Sequence, residues 1–115
     1  YCTSLGRMLL AGLSDDEVRA RLDASDLKPL TRHTVTDPAT LLARVQQVRK
    51  QGWCLVNQEL EEGLISLAAP LVDASGRTVA ALNVVTTAAR LGPTTIASHW
   101  LPLLHDAARE VRPLL

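Results

Sequence analysis

The sequence predicts an α+β domain, and three observations predict it. The first half carries helix-capping signals in front of apolar residues at helical spacing. At Trp53 the period changes to alternation, and a long amphipathic stretch closes the chain. The first helix starts at Thr3 or Ser4, either of which can cap it, and carries Leu5, Met8 and Leu9. Gly12 suits the left-handed residue that ends a helix. In the second, Ser14 and Glu17 form a Ser-x-x-Glu capping box, Asp15 and Asp16 favour the first turn, and Val18 and Leu22 make a narrow apolar stripe. Asp23–Leu30 reads as a connector because Pro29 bars a helix, and Thr31–Thr36 is a β-branched stretch compatible with a short strand. The third helix has Asp37 as cap, Pro38 at its first position and Leu41, Leu42, Val45 and Val48 on one face. Arg49 and Lys50 complement its dipole, and Gly52 ends it.

Beyond Trp53, Trp53–Val56 is a candidate strand, Asn57–Gly63 a polar connector and Leu64–Val72 a second strand. Asp73-Ala74-Ser75-Gly76 is turn chemistry, and Arg77–Thr87 is a third strand. Gly92-Pro93 opens the last helix, with Ile96, Trp100, Leu103, Leu104, Ala107, Ala108 and Val111 on one side. Pro102 lies inside it and should kink it, because its ring clashes with the carbonyl of Ser98. No repeat, low-complexity tract or long linker divides the chain.

Composition narrows the function. The 115 residues are 47% hydrophobic, too apolar for a disordered tail. Twelve Lys and Arg balance twelve Asp and Glu, which leaves no surplus of cations to face phosphates. With no Phe, and only Tyr1, Trp53 and Trp100 as aromatics, there is no platform for stacking bases. The longest largely apolar run, Leu64–Val72, is far short of the roughly 20 residues that cross a bilayer. Tyr1-Cys2-Thr3-Ser4 does not begin a basic-then-apolar segment, so no secretory signal is expected and the chain reads as cytosolic.

Chemistry-bearing motifs are scarce. Cys2 and Cys54 lack a second pair to complete a metal site and read as small buried thiols. His33, His99 and His105 have no ligand spacing, and read as surface or helix-end residues. There is no nucleophile elbow, phosphate loop or dinucleotide fingerprint. Glu59, Glu61 and Glu62 read as a solvated connector. No cofactor, no metal and no enzymatic activity are expected.

The hairpin is more informative. Side chains alternate across a strand, so Ile65, Leu67, Ala69 and Leu71 form a wholly apolar set that should pack on helices. Leu64, Ser66, Ala68, Pro70 and Val72 form the other. With a loop of Asp73–Gly76, Val72 pairs with Arg77 and Ser66 sits opposite Asn83, with Val79, Ala81 and Val85 on the same face. Ser66 and Asn83 then either satisfy each other as a structural pair or line a cavity and orient a bound molecule. A bulge, for which Pro70 is a suspect, would change this register.

Three segments together resemble a known family. They are Cys2-Thr3-Ser4-Leu5-Gly6-Arg7-Met8-Leu9-Leu10-Ala11, the stretch Gly52-Trp53-Cys54-Leu55-Val56-Asn57-Gln58-Glu59-Leu60-Glu61-Glu62-Gly63-Leu64, and Ser66-Leu67-Ala68-Ala69-Pro70-Leu71. In order and spacing they resemble the effector-binding domain of IclR-type bacterial transcriptional regulators. Gln58-Glu59-Leu60-Glu61 and Trp100-Leu101-Pro102-Leu103-Leu104 most resemble the branch controlling protocatechuate, 4-hydroxybenzoate and β-ketoadipate catabolism.

The resemblance implies a GAF-like domain, a curved antiparallel sheet with helices packed on one face and a small-molecule pocket on the other. It implies residues 1–115 as the later part of an effector-binding domain, without that domain's first strands and without the winged helix-turn-helix head through which such regulators meet DNA as dimers or dimers of dimers. The expected partner is a small carboxylate. Ser4 and Leu5 match positions at a helix start whose backbone N–H groups meet that carboxylate, in line with the anion affinity of helix N-termini. Asn57 falls where many members have Asp, keeping an acceptor and losing the charge. Ser66 matches a small polar position, and Asn83 and Val85 match positions that are Ser in some members. Val85 can only shape the pocket. The expectation is therefore a sensor, with an oligomerisation module built on the apolar stripes of Asp37–Gln51 and Pro93–Pro113 as the alternative.

Overall fold

Local chemistry sets each boundary in the computed structural model, which describes residues 1–115. Helix α1 (Ser4–Ala11) begins where the Thr3 hydroxyl accepts the Gly6 N–H at 3.0 Å. Gly12 then stops it in a right-handed conformation, φ −78°, rather than the left-handed one expected. Its glycine identity answers to packing instead, since a Cβ there would lie 3.0 Å from the Cβ of Thr78. Helix α2 (Asp15–Asp23) has the full capping box, Ser14 Oγ accepting from Glu17 N–H at 3.2 Å, and buries Val18 and Leu22. Helix α3 (Pro38–Gln51) starts on Asp37, which accepts the Thr40 N–H at 3.0 Å, and ends at Gly52 with φ 81°. It buries Leu41, Val45 and Val48.

Thr31–Thr36 is not a strand. Thr31 donates its N–H to Thr34 Oγ1 at 2.8 Å, and the two hydroxyls donate to the carbonyls of Gln58 at 2.6 Å and Glu59 at 2.5 Å. Side-chain hydrogen bonds of this kind offer the backbone an alternative to a ladder, and here they win over β-branched propensity.

Strands β1 (Cys54–Asn57), β2 (Leu64–Val72) and β3 (Thr78–Thr87) form one antiparallel sheet in that order. The hairpin register departs from the expected one. Ser66 faces Val85, and Ala68 faces Asn83. The Asp73 carboxylate accepts the N–H of Ser75 at 2.9 Å and of Arg77 at 3.0 Å, which draws Arg77 into the turn. A bulge between Leu71 and Val72, one residue beyond Pro70, shifts the pairing further.

The α+β class and the antiparallel sheet are as the sequence indicates, but helices lie on both faces of the sheet rather than on one. Ile65, Leu67 and Ala69 pack with Ile96 and Leu104 of α4 (Pro93–Val111). On the other face Cys54, Val56 and Ala68 join Met8, Ala11, Val18, Leu22, Leu41, Val45 and Val48. Helix α1 turns Ser4, Arg7, Met8 and Ala11 inward and leaves Leu5 and Leu9 partly exposed. Helix α4 runs on through Pro102, burying Ile96 and Leu104 while Trp100 and Leu103 face out. The connector Asn57–Gly63 is not wholly solvated either, because Glu59 is only 8% exposed.

Candidate functional site

The first turn of α1 lies over the face of the sheet that carries Val56, Ser66 and Asn83, and between them is a cavity of about 290 Å3. Pleating explains the floor. Val56 pairs with Ser66 and Ser66 with Val85, so the three share a face, and Asn83 is the diagonal neighbour of Ser66 on it. Ser66 and Asn83 are therefore not opposed to one another. Leu60 and Leu64 supply apolar walls, and Cys2, Thr3, Ser4 and Leu5 supply the roof.

The roof is polar in one place. Ser4 is 1% exposed, and its Oγ is the single buried side-chain oxygen or nitrogen without a hydrogen-bond partner. Around it the Thr3 hydroxyl takes the Gly6 N–H and the Thr3 carbonyl takes the Arg7 N–H, so the N–H groups of Ser4 and Leu5 have no acceptor. Two free amides, an unpartnered hydroxyl and the positive end of a helix dipole thus meet at one tip. No charged side chain lines the cavity. Any anion held there is held by amides and hydroxyls alone.

Five of the six anticipated residues, Ser4, Leu5, Ser66, Asn83 and Val85, are brought together round this cavity. Asn57 is not. It pairs with Ile65, so its side chain leaves on the α4 face, where its Oδ1 accepts from Gln58 Nε2 at 3.2 Å. Sequence reasoning missed Cys2, Thr3, Val56, Leu60 and Leu64 as lining residues, although Val56 is legible once Cys54 is known to point inward, two residues before it.

It also missed the ion pair beside the cavity. Arg7, 3% exposed, donates from both terminal nitrogens to the Glu59 carboxylate, at 3.0 and 2.9 Å, and to the Tyr1 carbonyl. The signal was there in α1: one arginine on the inward stripe, with no acid three or four residues away to pair with it. Both cysteines are free and buried, and burial pushes the Cys54 thiol up to about 11, which makes it an inert core residue. His105 touches the Gly52 carbonyl at 3.4 Å, and none of the histidines reaches the cavity.

Two other hollows are larger. One of about 550 Å3 lies by Leu9, Leu13 and Leu22, and one of about 520 Å3 lies between β3 and α4 by Arg90 and Trp100. Neither has a buried side-chain oxygen or nitrogen left unpartnered. Val85 borders both the second of these and the cavity under α1.

The family described as "Bacterial transcriptional regulator IclR C-terminal" matches residues 1–112. The chain is 50% identical over 111 residues to the Pca regulon regulatory protein of Pseudomonas putida, covering 96% of this chain and 38% of that protein. It is 40% identical over 116 residues to the p-hydroxybenzoate hydroxylase transcriptional activator of Acinetobacter baylyi, covering 100% and 42%. The chain thus spans about two-fifths of the length of the curated relatives it matches. Among solved structures it resembles the inducer-binding domain of an Acinetobacter PobR double mutant in complex with 3-hydroxybenzoic acid. The TM-score is 0.95 and the identity 37%, over 99% of this chain and 65% of that one. It also resembles a transcriptional regulator of Rhodococcus sp. RHA1, TM-score 0.94 and 46% identity, over 98% of this chain and 45% of that one.

Proposed function

This chain belongs to the C-terminal family of bacterial IclR transcriptional regulators, as an effector-binding domain rather than an enzyme, and from that premise we propose that the cavity under α1 is its effector site. The effector is a small monocarboxylate with an apolar, preferably aromatic, body and a hydroxyl at the end away from the acid. The carboxylate accepts from the N–H groups of Ser4 and Leu5 and from the Ser4 hydroxyl, the ring lies among Val56, Leu60 and Leu64, and Ser66 and Asn83 meet the far hydroxyl. The observation that carries this is the buried Ser4 hydroxyl without a partner, at a helix tip whose amides are also free. The lining without a cation disfavours a linear dicarboxylate, whose second charge would be desolvated with nothing opposite it.

In the full-length regulator the bound acid favours one arrangement of sheet and helices. It thereby biases how paired DNA-binding heads sit on their half-sites, by shifting populations.

Thermal melting of the full-length protein tests the effector reading. Millimolar 4-hydroxybenzoate, 3-hydroxybenzoate or protocatechuate raises Tm, β-ketoadipate does so less, and Ser66→Ala with Asn83→Ala removes the rise. If all four acids leave Tm unmoved, the site is not a carboxylate receptor.

A second reading, an assembly module, is favoured by the exposed Trp100 and Leu103 on α4, 39% and 56% accessible. The apolar face of α3, by contrast, is spent inward. Under that reading the Ser66 and Asn83 changes alter stability but no response to acids.

A further inference from the structure

We infer that Arg7 and Glu59 are a positioning pair for the cavity, holding the wall that carries Leu60 against the tip of α1. The inference rests on the reading of that cavity as a ligand site. Arg7 stands one turn after Ser4 on the inward face of α1, and Glu59 immediately precedes Leu60, so the pair ties roof to wall. The tie is bidentate and dry, with side chains 3% and 10% exposed.

The rest of the connector is pinned around it. Glu59 also accepts the Val35 N–H at 3.3 Å, and Thr31 and Thr34 hold the carbonyls of Gln58 and Glu59. Gln58 adopts φ 63°, unusual for a non-glycine residue, and its side chain accepts the Gly63 N–H at 3.0 Å. A connector held at so many points, in a backbone conformation it would not choose alone, has its place imposed by those partners. Leu60 is 48% exposed, so burial of its own side chain does little to keep it over the cavity.

The wall is read without any ligand by amide exchange at Gly63 and Leu64, whose N–H groups are bonded to Gln58 and Glu61 within the connector, against Val45 and Leu67 in the core. The test is hydrogen–deuterium exchange of the full-length protein, with 4-hydroxybenzoate affinity measured in parallel. Replacing both partners by apolar residues, Arg7→Met with Glu59→Leu, avoids a lone buried charge and keeps the fold. Local opening then speeds exchange at Gly63 and Leu64 by about tenfold with Val45 and Leu67 within about twofold, and weakens 4-hydroxybenzoate binding by a similar factor.

If connector and core amides accelerate together, the pair only stabilises the fold. If neither changes, it does nothing for the wall. Either result overturns the inference. Should the double variant not fold, Arg7→Lys keeps the charge but loses the fork, and the same ratio of connector to core exchange decides. A wild-type protein that binds no aromatic acid refutes the effector reading alone, and the exchange ratio still judges the pair.

Discussion

At Ser4 a hydroxyl is buried with nothing to bond to, in a chain that satisfies its other buried side-chain polar atoms. A group in that state is a cost to the empty protein, so Ser4→Ala raises stability by about 1 kcal/mol in urea unfolding. The same change weakens 4-hydroxybenzoate about tenfold by deleting a hydrogen bond to a charged group. A purely structural Ser4 gives the opposite pattern, lower stability with no ligand effect.

Much of this site is legible residue by residue. Two polar side chains in the middle of an otherwise apolar hairpin stand out in one sequence, whereas Ser4 and Leu5 read locally as a cap and a helix residue and are singled out only by the family resemblance. Asn57 does not resolve that way, because which face it takes depends on the register of β1 against β2 and on nothing local. Arg7 and Glu59, 52 positions apart, are invisible as a pair until the fold closes.

The helices follow their end groups. Asp37 is the clearest case: hydrogen bonds from the Thr40 hydroxyl and N–H hold its carboxyl below the ordinary value of 3.8. A carboxyl lowered by folding contributes stability that is complete above its unfolded value and is lost as the pH falls through the folded one. The first turn of α3 therefore frays in acid, below about pH 4, read by amide exchange at Thr40 and Leu41. Asp37→Asn keeps a capping acceptor and removes the pH dependence.

Caps and turn residues are local, which is why α2 and α3 are legible within a residue or so. Thr31–Thr36 and the hairpin register are not, since both are decided by partners elsewhere. The carbonyls of Gln58 and Glu59 decide the first, and the Asp73 carboxylate with the bulge at Leu71/Val72 decides the second.

For the whole molecule the sheet is one layer with a separate apolar cluster on each side. Leu67, fully buried against α4, anchors the side away from the cavity. Leu67→Ala costs about 3 kcal/mol of stability, a fall in Tm of roughly 10 °C for a domain of this size. An acid at a hundred times its Kd returns about 2.7 kcal/mol by mass action, so saturating 4-hydroxybenzoate restores most of the lost Tm in a melting series. Ser66→Ala with Asn83→Ala in the same background abolishes the restoration.

β3 has one further consequence. Val85 borders the cavity on one side and the hollow holding Trp100 on the other. Only an edge strand therefore parts an indole from whatever fills the site. Filling the cavity with 4-hydroxybenzoate is expected to shift the emission of Trp100 without any added dye, and Trp100→Phe separates that signal from the second indole, Trp53.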